Sequence, residues 1–164
     1  MKNLTTIILA AGKGTRMNSN RPKVLHEVGN FPLISHCFKT AQSINPQKIL
    51  AVLGHRRTEI KNVLENLDTS IELVFQEAQL GTGHAVSIAI EELADFDGNV
   101  IVLFGDTPFV SAETMRKIEA RSRQADLVVL GFHAPDPSGY GRLITNDNEL
   151  LKIVEQKDAN GQDL

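Results

Sequence analysis

Three short stretches of the chain hold residues whose types and spacing can do chemistry. In Leu9-Ala10-Ala11-Gly12-Lys13-Gly14-Thr15-Arg16-Met17, two glycines one residue apart interleave with Lys13 and Arg16, and Arg21 and Lys23 follow closely. Glycines let backbone N–H groups converge on an anion, and the cations add compensating charge, so the stretch reads as a phosphate-binding turn. It fits neither common template. A dinucleotide fingerprint needs glycine where Met17 stands; a Walker loop needs glycine at Ile7 and serine or threonine at Gly14. The second stretch is Gln76-Glu77-Ala78-Gln79-Leu80-Gly81-Thr82-Gly83-His84-Ala85. The Gln76 amide offers donors and an acceptor to a base edge, and Gly81 and Gly83 would let a flat ring approach the backbone. A loop capped by Thr82 is the competing reading. The third is Gly105-Asp106, which ends an apolar run and precedes Thr107-Pro108. A carboxylate there suits Mg²⁺ beside a triphosphate, and it equally suits a turn before proline.

Other reactive residue types show less. His26, His36, His55, His84 and His133 have no metal-site spacing. Cys37, the single cysteine, falls on a helix face and reads as core; it excludes an internal disulfide and points to a reducing compartment. Tyr140, in Ser138-Gly139-Tyr140-Gly141-Arg142, fits a plain turn or a substrate loop.

These stretches need elements to hold them. Apolar runs at Leu4–Ala10, Ile49–Leu53, Ile71–Phe75, Val100–Phe104 and Leu127–Phe132 read as strands. Between them, Leu33, Ile34, Cys37, Phe38 and Ala41 share one helical face, and Ile60, Val63, Leu64 and Leu67 share another, with Thr58 as its expected cap. His84–Leu93 reads as a helix burying Val86, Ala89, Ile90 and Leu93, and Ser111–Arg121 as a helix capped by Ser111. Unbroken strands alternating with helices imply a Rossmann-like α/β fold, its mostly parallel sheet covered by helices on both faces. Such sheets bind ligands at the carboxyl ends of their strands, where all three chemical stretches fall. After Pro135 the texture changes, and Arg142–Thr145 and Leu150–Val154 read as short strands around an Asn-Asp-Asn turn.

The 164 residues suit one domain, here taken as 1–164. A net charge of −3 argues against a protein that coats nucleic acid or an anionic membrane, while permitting a local basic patch. The apolar start mimics a short signal peptide, but interrupting threonines and the basic residues after it favour a buried strand, hence a cytoplasmic protein.

"LAAGKGTRM" with "PKVLH" resembles the signature of sugar-nucleotidyltransferases. With "QLGTGHA", "FGD", "GYGR" and "IVEQKDA", in order and over nearly the whole chain, the resemblance narrows to one family. That family is the uridylyltransferase domain of bacterial bifunctional N-acetylglucosamine-1-phosphate uridylyltransferases/glucosamine-1-phosphate acetyltransferases. It implies transfer of a uridylyl group from UTP to N-acetylglucosamine-1-phosphate, with Mg²⁺ as cofactor, for peptidoglycan and lipopolysaccharide precursors. By resemblance, Leu9, Ala10, Ala11, Gly12, Gln76, Gly81 and Thr82 would hold uridine. Arg16 and Lys13 would serve the phosphates, Lys23 would contact the nucleotide, and Asp106 would bind Mg²⁺ beside Phe104 and Gly105. Phe104 stands where some relatives have tyrosine. Gly141 and Glu155 would contact the sugar. The family continues past the position of Leu164 into further strands, a second metal ligand and a trimer-forming acetyltransferase domain. This chain is therefore expected to be an incomplete domain, monomeric or weakly associated and slow in turnover. Transfer to another sugar phosphate or to the molybdenum cofactor, and an inactive nucleotide-binding fragment, are the alternatives.

Overall fold

The computed structural model describes residues 3–14, 17–147 and 149–161, which fold as two compact units, Met1–Asp126 and Leu127–Leu164. The first holds strands β1 (Asn3–Ala10), β2 (Glu27–Val28), β3 (Phe31–Pro32), β4 (Lys48–Leu53), β5 (Glu72–Phe75) and β6 (Gly98–Phe104). Its helices are α1 (Leu33–Gln42), α2 (Arg57–Leu67), α3 (Thr82–Glu91) and α4 (Ala112–Arg121). The second holds an antiparallel hairpin, β7 (Arg142–Asn146) with β8 (Glu149–Val154), bulged between Ile144 and Thr145.

The main sheet is parallel throughout, in the order β5-β4-β1-β6. Alternation along β1 sends Leu4, Ile8 and Ala10 to one face, where they pack with Ile34, Cys37, Phe38 and Ala41 of α1, Ile60 and Leu64 of α2 and Met115 of α4. Ile7 and Leu9 point the other way, against Ala85 and Ala89 of α3. The α/β fold with helices on both faces is thus as the sequence implies. Each fully buried Ile or Leu, such as Ile7, Ile8 and Leu50, contributes about 1.5–3 kcal/mol. Successive strands step outward from β1 through β4 to β5; the chain then returns over α3 to place β6 on the other flank of β1. The order in which strands are added therefore reverses between β1 and β6, which makes the carboxyl ends of those two strands a switch point.

Five expectations are corrected. Leu127–Phe132 forms no strand: no described residue pairs with it, and Leu127, Leu130 and Phe132 are exposed. An apolar run marks a strand only when a partner takes up its backbone groups. Thr58 does not cap α2; Arg56 does, in the left-handed conformation and without a side-chain cap bond. Helix α3 begins at Thr82 rather than His84, so its inward face carries Ala85 and Ala89 while Ile90 is exposed. Its N-cap is Gly81, not Thr82. On β6, Ile101 and Leu103 are buried but Val102 and Phe104 are exposed, because α3, which packs on that face, lies over β1, β4 and β5. Ser111 caps α4 as expected, accepting from the Thr114 N–H.

Candidate active site

The carboxyl ends of the parallel strands gather the chemistry. After β1, the backbone runs through Ala11-Gly12-Lys13-Gly14, with Gly12 and Lys13 exposed. Gly14 has φ +63°, and a Cβ there would lie 2.8 Å from Lys23 Cβ, so the loop closes this tightly only with glycine. Lys23 opens a 3-10 turn whose next residues, Val24 and Leu25, are buried in the core; they anchor it. Its Nζ lies 2.6 Å from Asp106 Oδ2, at the end of the neighbouring β6. The structure thus brings two of the residues singled out by sequence into direct contact across the switch point.

Asp106 is held by the turn around it. Gly105 N–H donates to Leu9 O at 2.9 Å, extending the β1–β6 pairing past the strand end. Phe104 O accepts from Thr107 N–H at 3.0 Å, Thr107 Oγ1 at 2.8 Å and Cys37 Sγ at 3.3 Å. Burial pushes the Cys37 thiol up to about 11, against an opposing hydrogen bond from the Thr107 backbone, so it is a neutral donor here. Asp106 itself is partly exposed. Among the described residues no three His, Cys, Asp or Glu side chains cluster as a metal site. A single accessible carboxylate fits Mg²⁺ completed by substrate phosphates and water, rather than an all-protein cage.

The third wall follows β5. Gln76 is buried, and its N–H donates to Leu53 O. Its Nε2 meets Gly81 O at 3.1 Å and His84 Nδ1 at 3.0 Å. Gly81 has φ +103° with an extended ψ, a conformation essentially limited to glycine, and it turns its carbonyl back toward Gln76. Gln79 Nε2 donates to Ala11 O at 3.0 Å, tying this wall to the opening loop. Together Lys13, Gly54, His55, Arg57, Gln76, Glu77 and Gln79 line an open cleft of about 300 Å³. Arg57 there is paired with Glu77 and stacked over Phe75.

Gly141 and Glu155 lie in the second unit, at the Arg142/Val154 end of the hairpin, where a Cβ on Gly141 would stand 3.9 Å from Glu155 Oε1. Arg16 falls outside the described residues. Sequence reasoning missed Gly54 and His55, although they follow a strand end as the other stretches do. It also missed the Gln76–His84 contact and the Cys37 thiol beneath the Asp106 turn.

A doubly wound parallel sheet with a glycine-and-lysine loop and a lysine–aspartate pair at its switch point, and an amide-lined cleft beyond the ends of the neighbouring β4 and β5, defines a nucleotidyltransferase-like α/β domain. The chain belongs to the MobA-like NTP transferase domain family, whose model matches residues 6–157. It is 53% identical over 154 residues to the bifunctional protein GlmU of Ruegeria sp. (strain TM1040), covering 93% of this chain and 34% of that protein. It is 47% identical over 157 residues to GlmU of Streptococcus uberis, covering 94% of this chain and 34% of that protein. The chain thus spans about a third of the length of these relatives. Among solved structures, HddC from Yersinia pseudotuberculosis superposes with TM-score 0.74 at 22% identity, over 94% of this chain and 69% of that one. A nucleotidyl transferase from Methanothermobacter thermautotroptrophicus superposes with TM-score 0.61 at 20% identity, over 73% and 58%. These two likenesses bear on the fold.

Proposed function

We propose that the chain carries the uridylyltransferase chemistry of the GlmU-type proteins: UTP and N-acetylglucosamine-1-phosphate give UDP-N-acetylglucosamine and pyrophosphate, in the cytoplasm, for cell-envelope precursors. The observation that carries this reading is the Lys23–Asp106 pair at 2.6 Å beside the glycine loop, on a chain 43–53% identical to such proteins. A phosphate oxygen of the sugar phosphate attacks the α-phosphorus of UTP, and the bond to the bridging oxygen of the β-phosphate breaks. Attacker and target are both anions, so the protein must offset their repulsion and align them. Backbone N–H groups of the Gly12–Gly14 loop, with Lys13, Arg16 and Lys23, do the first. Leu9, Ala10 and Ala11, together with Gln76, Gly81 and Thr82, hold the uridine and so set the α-phosphorus in place, with Phe104 and Gly105 lining the site. Asp106 would hold the Mg²⁺ that the triphosphate brings, and that ion supplies charge neutralisation on the leaving pyrophosphate. Gly141 and Glu155 take the sugar side.

The test is pyrophosphate release from UTP with N-acetylglucosamine-1-phosphate, against GTP and CTP and against other sugar phosphates. Equilibrium binding of UTP is measured alongside. Release that favours UTP and this sugar phosphate is the expected result. Release that favours GTP would move the chain to cofactor guanylylation, and UTP binding without release would make it a binding module.

A further inference from the structure

The Gln76 amide has an orientation set by the protein, and His84 completes it. Gly81 O is a carbonyl and can only accept, so the Gln76 atom 3.1 Å away must be the amide nitrogen. That nitrogen carries two hydrogens. One goes to Gly81 O, and the other points at His84 Nδ1, 3.0 Å away. Nδ1 must therefore accept, which fixes His84 as the neutral imidazole protonated on Nε2. Both amide hydrogens are consumed, leaving Oε1 as the atom that Gln76, buried yet lining the cleft, can turn toward a ligand.

We infer that His84 is a specificity-positioning residue: by accepting from Gln76 Nε2 it presents Gln76 to the base as an acceptor only. This inference rests on the uridine reading above. An acceptor at that place pairs with the N3–H of uracil and opposes the N3 lone pair of cytosine. His84 needs no contact with the nucleotide to do this. Its backbone is fixed on the first turn of α3, where Ser87 Oγ donates to its carbonyl at 2.9 Å and Ala85 N–H returns to Gly81 O at 3.2 Å. The same carbonyl that starts the helix thus orients the amide.

The experiment pairs competition binding of UTP and CTP with nitrogen NMR of the imidazole. His84→Leu keeps the branched shape and removes the acceptor; His84→Asn puts Oδ1 where Nδ1 stood. The UTP/CTP affinity ratio is expected to fall about fivefold in His84→Leu, the worth of one net hydrogen bond, and to be retained in His84→Asn. An unchanged ratio in His84→Leu, with a wild type that prefers UTP, would overturn the role of His84 and leave the uridine reading standing. A wild type without preference for UTP would overturn the uridine reading and the specificity role with it. The tautomer is read on the wild-type protein, so it decides the amide lock even should a variant not fold. The Nε2–H form at neutral pH supports the lock, and the Nδ1–H form overturns it.

Discussion

Replacing Gly14 by alanine tests whether the opening loop controls the Lys23–Asp106 pair. Two costs act there and can be separated. The first is conformational: φ is +63°, and a non-glycine residue in the left-handed region costs roughly 1–2 kcal/mol. Gly29, at φ +59° with nothing within 4 Å of its Cβ position, carries this cost alone. The second is steric: the new Cβ would stand 2.8 Å from Lys23 Cβ, so one of them must move by several tenths of an ångström. Lys23 is the partner of Asp106, and the displacement reaches the pair directly. Scaling a loss of roughly 100-fold per 1 Å of misplacement to such a shift gives about a four- to tenfold fall in turnover. Gly12, with ordinary φ and open space around its Cβ position, is the control for stability alone, because its own backbone belongs to the phosphate loop. The assay is a thermal melt and a pyrophosphate-release rate for the three alanine variants. Gly29→Ala should lower Tm by roughly 2–8 °C through backbone strain and leave the rate alone. Gly14→Ala should lower both, and Gly12→Ala neither Tm nor fold. A Gly14→Ala protein that loses only the Tm that Gly29→Ala loses, and keeps the Gly29→Ala rate, would refute the coupling between the loop and Lys23.

Three further outcomes are expected. Burial holds the Cys37 thiol at about 11 against an ordinary 9.0, so the unfolded chain binds fewer protons in that window. Stability should therefore be fully present below about pH 9 and fall as pH rises toward 11; urea midpoints across that range check this, and Cys37→Val should remove the component. Ser111→Ala deletes the bond from Thr114 N–H at 3.1 Å and should cost about 1 kcal/mol, or roughly 2–4 °C in Tm. Glu155→Ala should raise the KM for N-acetylglucosamine-1-phosphate while leaving that for UTP nearly unchanged; equal effects on both substrates in steady-state kinetics would remove Glu155 from the sugar side.

The parallel sheet was legible because its central strands, β1 and β4, are buried on both faces and so read as unbroken apolar runs, Ile7 to Ala10 above all. Helices α1 and α2 were legible from periodicity, and α4 with its serine cap. What misled was the same signal where burial is absent. Leu127–Phe132 is as apolar as β6, yet lacks a partner among the described residues, and composition alone cannot distinguish a run that pairs from one that does not. The start of α3 was misplaced because the Gly81 conformation, which ends the loop, leaves no trace in hydrophobic spacing; only the glycine itself hints at it.

The site divides along a similar line. Its residue types were legible locally, since glycines, cations and a strand-end carboxylate announce themselves within a few positions. Its pairings were not, because sheet order sets them. Cys37 and Phe104 are 67 positions apart, and Ala11 and Gln79 are 68 apart, yet each pair is hydrogen-bonded. Once β6 is placed beside β1, and β4 and β5 on the opposite flank, the ends of β1 and β6 must meet. Lys23 then has Asp106 as a neighbour, and the loop after β5 closes over Ala11. The Gln76–His84 contact follows a shorter route, across a single strand-to-helix turn, and was missed for another reason. A histidine three residues after a glycine turn looks like any other helix residue until the carbonyl of Gly81 is seen to decide which way the amide must face.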